Sequence, residues 1–216
     1  MRSTDTQAFV LRHTRPQRPA FVPELRLHLA DEVLPLWRLV EAQRGAGTPP
    51  PFWAFAWAGG QAVARYLLDH AATTAGRRVV DFAAGSGLCA IAAMKVGAAS
   101  ALAADVDVFS GAAVAANARI NAVRVAFTGR DLLLADPPDA DLFLAGDVCY
   151  EQVLATRVVA WLRMAHARGA RVLIGDPGRT YFPRAGLVQL AEYRVPTTRE
   201  LEDAEVKRAG VFTFPA

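Results

Sequence analysis

Short apolar runs alternate with longer helical stretches through the middle of the chain. The runs at 79–81, 101–105, 141–148 and 171–175 are apolar for most of their length, which predicts strands buried on both faces of a sheet, and 123–128 predicts a further strand. Between and after them, 88–96, 109–121 and 152–167 predict helices. This alternation implies right-handed crossovers and an open, mostly parallel α/β sheet. Upstream, Ala62, Val63, Tyr66 and Leu67 recur at helical spacing within 59–73. Residues 25–29 alternate like a short strand, and 32–42 predict a helix bent by Pro35. Downstream, 187–195 and 206–214 predict an antiparallel pair that finishes the sheet. The proline and glycine cluster at 45–51 predicts a hinge between an N-terminal layer, 1–49, and a sheet domain, 50–216.

Composition narrows the class. With 216 residues, 53% of them hydrophobic, the chain can bury one substantial core. No apolar run reaches the roughly 20 residues of a membrane span, so no membrane partner is expected. Cys89 and Cys149 lack C-x-x-C spacing, which predicts reduced thiols and a bacterial cytoplasmic location rather than a disulfide framework or zinc site. The four histidines are scattered without metal-ligand spacing, so no metal is expected. All but two of the 24 basic residues are arginine, which fits coding bias better than a functional demand. The net charge of +3 is spread out, with no basic block to suggest nucleic acid as a partner. The N-terminal arginines, interrupted by Asp5, read as a short arm, and a monomer is expected.

The first candidate chemistry lies at Asp81-Phe82-Ala83-Ala84-Gly85-Ser86-Gly87, where the 79–81 run meets a small-residue loop and then a helix. Small residues let a ligand approach the backbone and the helix N-terminus. Asp105 follows about 20 residues later, a spacing that suits a carboxylate gripping ribose hydroxyls. Two cofactors fit at this point. Residues 85–90 match the G-x-G-x-x-A dinucleotide pattern, which would imply NAD and hydride transfer. S-adenosylmethionine fits better, because its ammonium and sulfonium need an acid such as Asp81, and no Arg or Lys occurs in 79–94 to meet a pyrophosphate. Ala83, Gly85 and Gly87 form the cofactor loop in this reading. Asp131, Asp147 and Asp176 also close predicted strands, and strand-end acids together suggest a site for a cation-bearing nucleoside.

Two further segments stand out. In 50–61, Trp53 and Trp57 are four apart, a spacing that packs one core face as readily as it offers a ring to adenine or an alkylammonium group. Trp57 adjoins Gly59 and Gly60, which would let the backbone approach a ligand, and is the cofactor-side candidate. Trp53 reads as core or as a substrate wall. In 146–151, Asp147 and Tyr150 follow a strand; Asp147 could instead cap the next helix and Tyr150 could be core. Arg179 is a candidate for the substrate side, or a solvated loop residue.

These segments resemble the electron transfer flavoprotein β-subunit lysine methyltransferases, within the seven-strand, class I S-adenosylmethionine-dependent enzymes. The matching residues are P-P-F-W-A-x-x-W-x-G-G-Q at 50–61, G-D-x-x-Y at 146–150 and V-L-I-G-D-P-G-R at 172–179. V-P-E-L-x-L at 22–27 and T-R-E-L-E at 198–202 agree as well, so the resemblance spans the chain from about Val22 onward. The family motif D-x-F-Y is departed from at Cys149. The resemblance implies a single Rossmann-like seven-stranded sheet with helices on both faces and a short N-terminal extension. It also implies S-adenosylmethionine as donor and the flavoprotein β subunit as protein substrate. Asp147 and Tyr150 would then act on the target amine, which is neutral in only about one molecule per thousand near pH 7. Another protein, such as a ribosomal protein, or a small amine such as nicotinamide is the alternative acceptor. A non-catalytic nucleoside-binding protein would keep the loop but need neither Asp147 nor Tyr150.

Overall fold

The computed structural model describes residues 3–215. The segment expected to be a short arm holds helix α1 (Ser3–His13), whose Phe9 and Val10 are buried. Strands β1 (Arg15–Gln17) and β2 (Leu27–Leu29) pair antiparallel, and helix α2 (Val33–Arg44) follows. Pro35 does not interrupt that helix. It falls in the first turn, where the N–H that proline lacks would have had no intrahelical acceptor.

Helix α3 (Ala58–Asp69) stops earlier than its apolar spacing suggests and gives way to a 3₁₀ turn, Ala71–Thr73. Then come β3 (Arg78–Phe82), α4 (Leu88–Lys95), β4 (Ser100–Ala104), α5 (Ser110–Ile120), β5 (Ala126–Thr128) and β6 (Leu142–Gly146). Helix α6 (Gln152–Ala167), β7 (Arg171–Asp176), β8 (Val188–Pro196), α7 (Arg199–Glu202) and β9 (Val206–Thr213) complete the order. The third predicted strand is shortened to three residues.

Seven strands form one sheet in the order β5-β4-β3-β6-β7-β9-β8. The first five are parallel, and β9 runs antiparallel to both β7 and β8. The terminal pair therefore does finish the sheet, but β9 is inserted beside β7, and β8 shares the direction of the parallel strands. Alternation along the strands explains the two covered faces. Val79, Leu142, Leu144 and Leu173 pack with Leu67 of α3 and Ile91 of α4, whereas Val80, Phe143, Val172 and Ile174 pack with Trp161 and Leu162 of α6. No helix among the described residues is long and apolar enough to cross a membrane.

Glycine decides how closely α3 meets the sheet. A Cβ on Gly146 would lie 2.7 Å from the Gly60 Cα, and Gly59 and Gly175 leave no room for a Cβ against each other's carbonyl oxygens. Gly59 and Gly60 thus bring helix backbone onto the ends of β6 and β7, and Gly60 also lines the cavity described below. This close contact fixes the N-terminus of α3 beside the carboxyl ends of the strands, at the point where strand order reverses between β3 and β6.

Candidate active site

A cavity of ≈ 520 Å³ opens at that switch point, within the size range of small-molecule sites. Its floor is the loop between β3 and α4. Gly85 and Gly87 have φ of 50° and 77°, and Ala83 adopts φ 52°, a left-handed conformation that an alanine side chain resists. Gly85 lines the cavity. Gly87 does not; it is the N-cap position of α4, and a Cβ there would press on Val114 at 3.0 Å.

Asp81, the buried carboxylate of β3, lines the cavity and also has a structural task. Its Oδ2 accepts the Ala90 N–H at 2.9 Å, satisfying a donor in the first turn of α4. Burial pushes its carboxyl up to about 7, against the pull of that hydrogen bond, and the nearby Asp105 adds to the rise. Asp105, just past β4, accepts the Gly85 N–H at 2.7 Å on Oδ2 and the Asp107 N–H at 2.9 Å on Oδ1. Each carboxylate oxygen has a second lone pair, so hydroxyls can be added without breaking these bonds. Burial raises Asp105 as well. Two acids held above their ordinary range in one cavity gain most from a cationic ligand and would repel a pyrophosphate.

Asp131 follows β5, lines the cavity and caps the 3₁₀ turn Leu132–Leu134 by accepting the Leu133 N–H at 2.9 Å. Arg157 lies 3.9 Å from it, and Arg44 lies 3.7 Å from Asp107, so arginines on the wall face acids. Asp176 stands apart from the other strand-end acids. It does not line the cavity, and its Oδ1 accepts the Gly178 and Arg179 N–H groups, which shapes the loop that carries Arg179.

The opposite wall is aromatic and charged. Trp53, in the 3₁₀ turn Phe52–Ala54, is fully buried, with its ring 5.6 Å from Phe109; it is both core and cavity wall. Trp57 is half-buried and donates its Nε1–H to the Phe52 carbonyl at 3.0 Å. Phe52, which sequence reasoning missed, joins Trp57 to Tyr150, with ring centroids 5.6 and 5.4 Å away. Tyr150 is half exposed at the mouth, and what burial it has raises its hydroxyl pKa.

Asp147 is buried, with φ 57°. It does not cap α6, because Glu151 accepts the Val153 and Leu154 N–H groups there. Instead Asp147 Oδ2 accepts the Gly60 N–H at 3.0 Å, in the first turn of α3. Its Oδ1 accepts from Arg179 Nη2 at 2.6 Å and Nε at 3.2 Å. Burial pushes the Asp147 carboxyl up to about 6, the Arg179 charge opposes that rise and the Glu202 charge adds to it. Arg179 Nη2 also reaches Glu202 Oε1 at 2.9 Å, and its guanidinium lies over the Trp57 ring at 5.9 Å. Glu202 went unnoticed as a site residue, although the T-R-E-L-E tail that contains it was the available signal. Cys89 and Cys149 are free and buried, and burial pushes the Cys149 thiol up to about 12, which keeps it protonated.

Comparison with known proteins bears on the fold and the family. The family model of ribosomal protein L11 methyltransferase (PrmA) matches residues 64–160. The crystal structure of a magnesium protoporphyrin IX methyltransferase from Synechocystis PCC 6803 with bound SAM is 19% identical, with a TM-score of 0.53, over 72% of this chain and 79% of that one; this likeness is one of fold. An electron transfer flavoprotein beta subunit lysine methyltransferase from Xenopus laevis is 33% identical over 98% of this chain and 88% of its own length. Its counterpart from Mus musculus is 38% identical over 76% of this chain and 67% of its own length. With the seven-stranded sheet and the acid-lined cavity at its switch point, the chain belongs to the electron transfer flavoprotein beta subunit lysine methyltransferase family.

Proposed function

We propose that the protein methylates lysine side chains of the electron transfer flavoprotein β subunit, acting as a monomer in a bacterial cytoplasm. The enzyme is an S-adenosylmethionine-dependent methyltransferase, and that cofactor supplies an already activated methyl group. Residues that fit it are present: Asp81 for its positive charge, Asp105 for its ribose, Asp131 and Trp57 for its base, and Gly85 with Ala83 for close backbone approach. The chain's own work is then alignment and handling of the acceptor.

A lysine ammonium must be drawn in, desolvated and stripped of a proton before nitrogen can act as a nucleophile. The observation that carries the reading is Asp147, a buried carboxylate that lines the cavity together with the paired rings of Tyr150 and Phe52. Asp147 attracts the ammonium and receives its proton. Its carboxyl, held up at about 6 chiefly by burial, is a better base than an ordinary aspartate while still ionised near neutrality. Tyr150, Phe52 and Trp53 exclude water around the amine, and Arg179 anchors Asp147 on the substrate side.

The match of 64–160 to the ribosomal protein L11 methyltransferase family supports a second acceptor, a ribosomal protein. One experiment separates the two readings. The protein is incubated with labelled S-adenosylmethionine and an extract from cells lacking it, and the labelled polypeptide and residue are identified. Label on lysine of the β subunit is expected. Label on a ribosomal protein, on RNA or only on a small amine would refute the assignment.

A further inference from the structure

We propose that Glu202 is a positioning residue that, through Arg179, sets the net charge Asp147 presents to the target amine. The proposal rests on the lysine-methyltransferase reading above and adds the element that selects a cationic acceptor.

Asp147 alone cannot supply that selection. Its Oδ1 is held by two nitrogens of Arg179, and an aspartate–arginine pair by itself is neutral. A neutral pair gives an incoming ammonium little reason to leave water. Glu202 changes the count: two carboxylates against one guanidinium leave one net negative charge, which one ammonium then balances. The guanidinium is held for this purpose on three sides, by Asp147, by Glu202 and by the Trp57 ring face at 5.9 Å.

Both carboxylates are aimed at the same helix end. Asp147 takes the Gly60 N–H and Glu202 takes the Ala58 N–H at 3.3 Å, so both carboxylates face the positive end of α3. The Glu202 side chain is wholly buried and does not line the cavity, so it acts through Arg179 rather than by touching the acceptor. Its Oε2 has no partner among the described residues. A buried carboxylate oxygen without a partner is costly, and the fold does not require one. A glutamine would offer the same Oε1 to Ala58 and Arg179 without the charge. The charge itself is therefore what the architecture keeps.

Glu202→Gln and Glu202→Asp separate charge from shape. The full-length variants are assayed with unmethylated electron transfer flavoprotein β subunit at saturating S-adenosylmethionine, with cofactor affinity and thermal stability measured alongside. Loss of the buried charge that offsets Arg179 is expected to lower kcat/KM about tenfold or more in Glu202→Gln, chiefly through KM. Glu202→Asp keeps the charge and should retain activity within about threefold, despite its poorer fit. Cofactor affinity should not change in either. The opposite order, with Glu202→Gln near parental and Glu202→Asp impaired, would mean that Glu202 only fills space, and the proposal fails. Loss of activity that tracks lost stability or lost cofactor affinity overturns it too. A parental enzyme that labels no lysine of the β subunit instead sinks the lysine reading, and this proposal with it.

Discussion

Asp147→Asn is the substitution with the clearest consequences. Asp147 uses both oxygens: one faces the Gly60 N–H at 3.0 Å and the other faces Arg179 at 2.6 Å. Asparagine has only one oxygen. If that oxygen stays with Arg179, the new amide NH₂ meets the Gly60 N–H; if it flips, the NH₂ meets the guanidinium. In either orientation a buried donor loses its acceptor, which costs about 1–3 kcal/mol. Glu202 still holds Arg179, so the variant is expected to fold, with denaturant unfolding showing a loss of that size. Catalysis should suffer far more, because the base is gone: turnover should fall about a hundredfold to ten-thousandfold. Asp81 and Asp105 are untouched, so cofactor affinity should change little. Single-turnover assays at saturating cofactor, with calorimetry beside them, read the two effects separately. Near-parental turnover would show that Asp147 is only an anchor for α3 and Arg179, and the catalytic role would be refuted.

Two further predictions concern the cofactor loop. Burial raises the folded Asp81 to about 7, so the folded chain holds a proton that the unfolded chain releases near about 4. That contribution to the free protein's stability is complete below about 4 and is lost as pH rises through about 7. A cationic ligand has the opposite dependence because it needs the ionised carboxylate: S-adenosylmethionine affinity should be about tenfold weaker at pH 6 than at pH 8. Asp81→Asn should flatten that profile, and a flat parental profile by calorimetry would contradict the assignment. Ala83→Gly relieves a side chain held at φ 52°. Strain of about 1–2 kcal/mol is removed and about 0.4–1 kcal/mol of unfolded-state entropy is returned, for a net gain of about 0–1.6 kcal/mol. A lower melting temperature in this variant would count against a strained turn.

How much of this was legible in the sequence depended on the range of the interaction. The apolar runs that lead to Asp81, Asp105 and Asp147 marked strand ends to within two residues, because strand burial leaves a local pattern. The strand-end rule overreached at Asp176, whose carboxylate turns back on its own loop. Gly59 and Gly60 announced a close approach but not to what; only the fold brings Gly146 and Gly175 beneath them. Helix α1 was hidden because Phe9 and Val10 bury against residues about a hundred positions away, such as Phe109, 4.9 Å from Phe9. The Asp147–Arg179–Glu202 cluster was invisible for the same reason. Asp147 and Arg179 were each singled out on their own, but the separations of 32 and 23 residues have no periodicity to join them to one another or to Glu202. Insertion of β9 between β7 and β8 likewise depends on pairing rather than on anything local.

The most direct test of the account is a peptide map of purified, unmethylated electron transfer flavoprotein β subunit after incubation with S-adenosylmethionine and the parental protein, beside a parallel incubation with Asp147→Asn. Methyl groups on lysine, and on no other residue type, are expected with the parental protein, and a sharply reduced yield with the variant. An unmodified β subunit, or equal methylation by both proteins, would contradict the account.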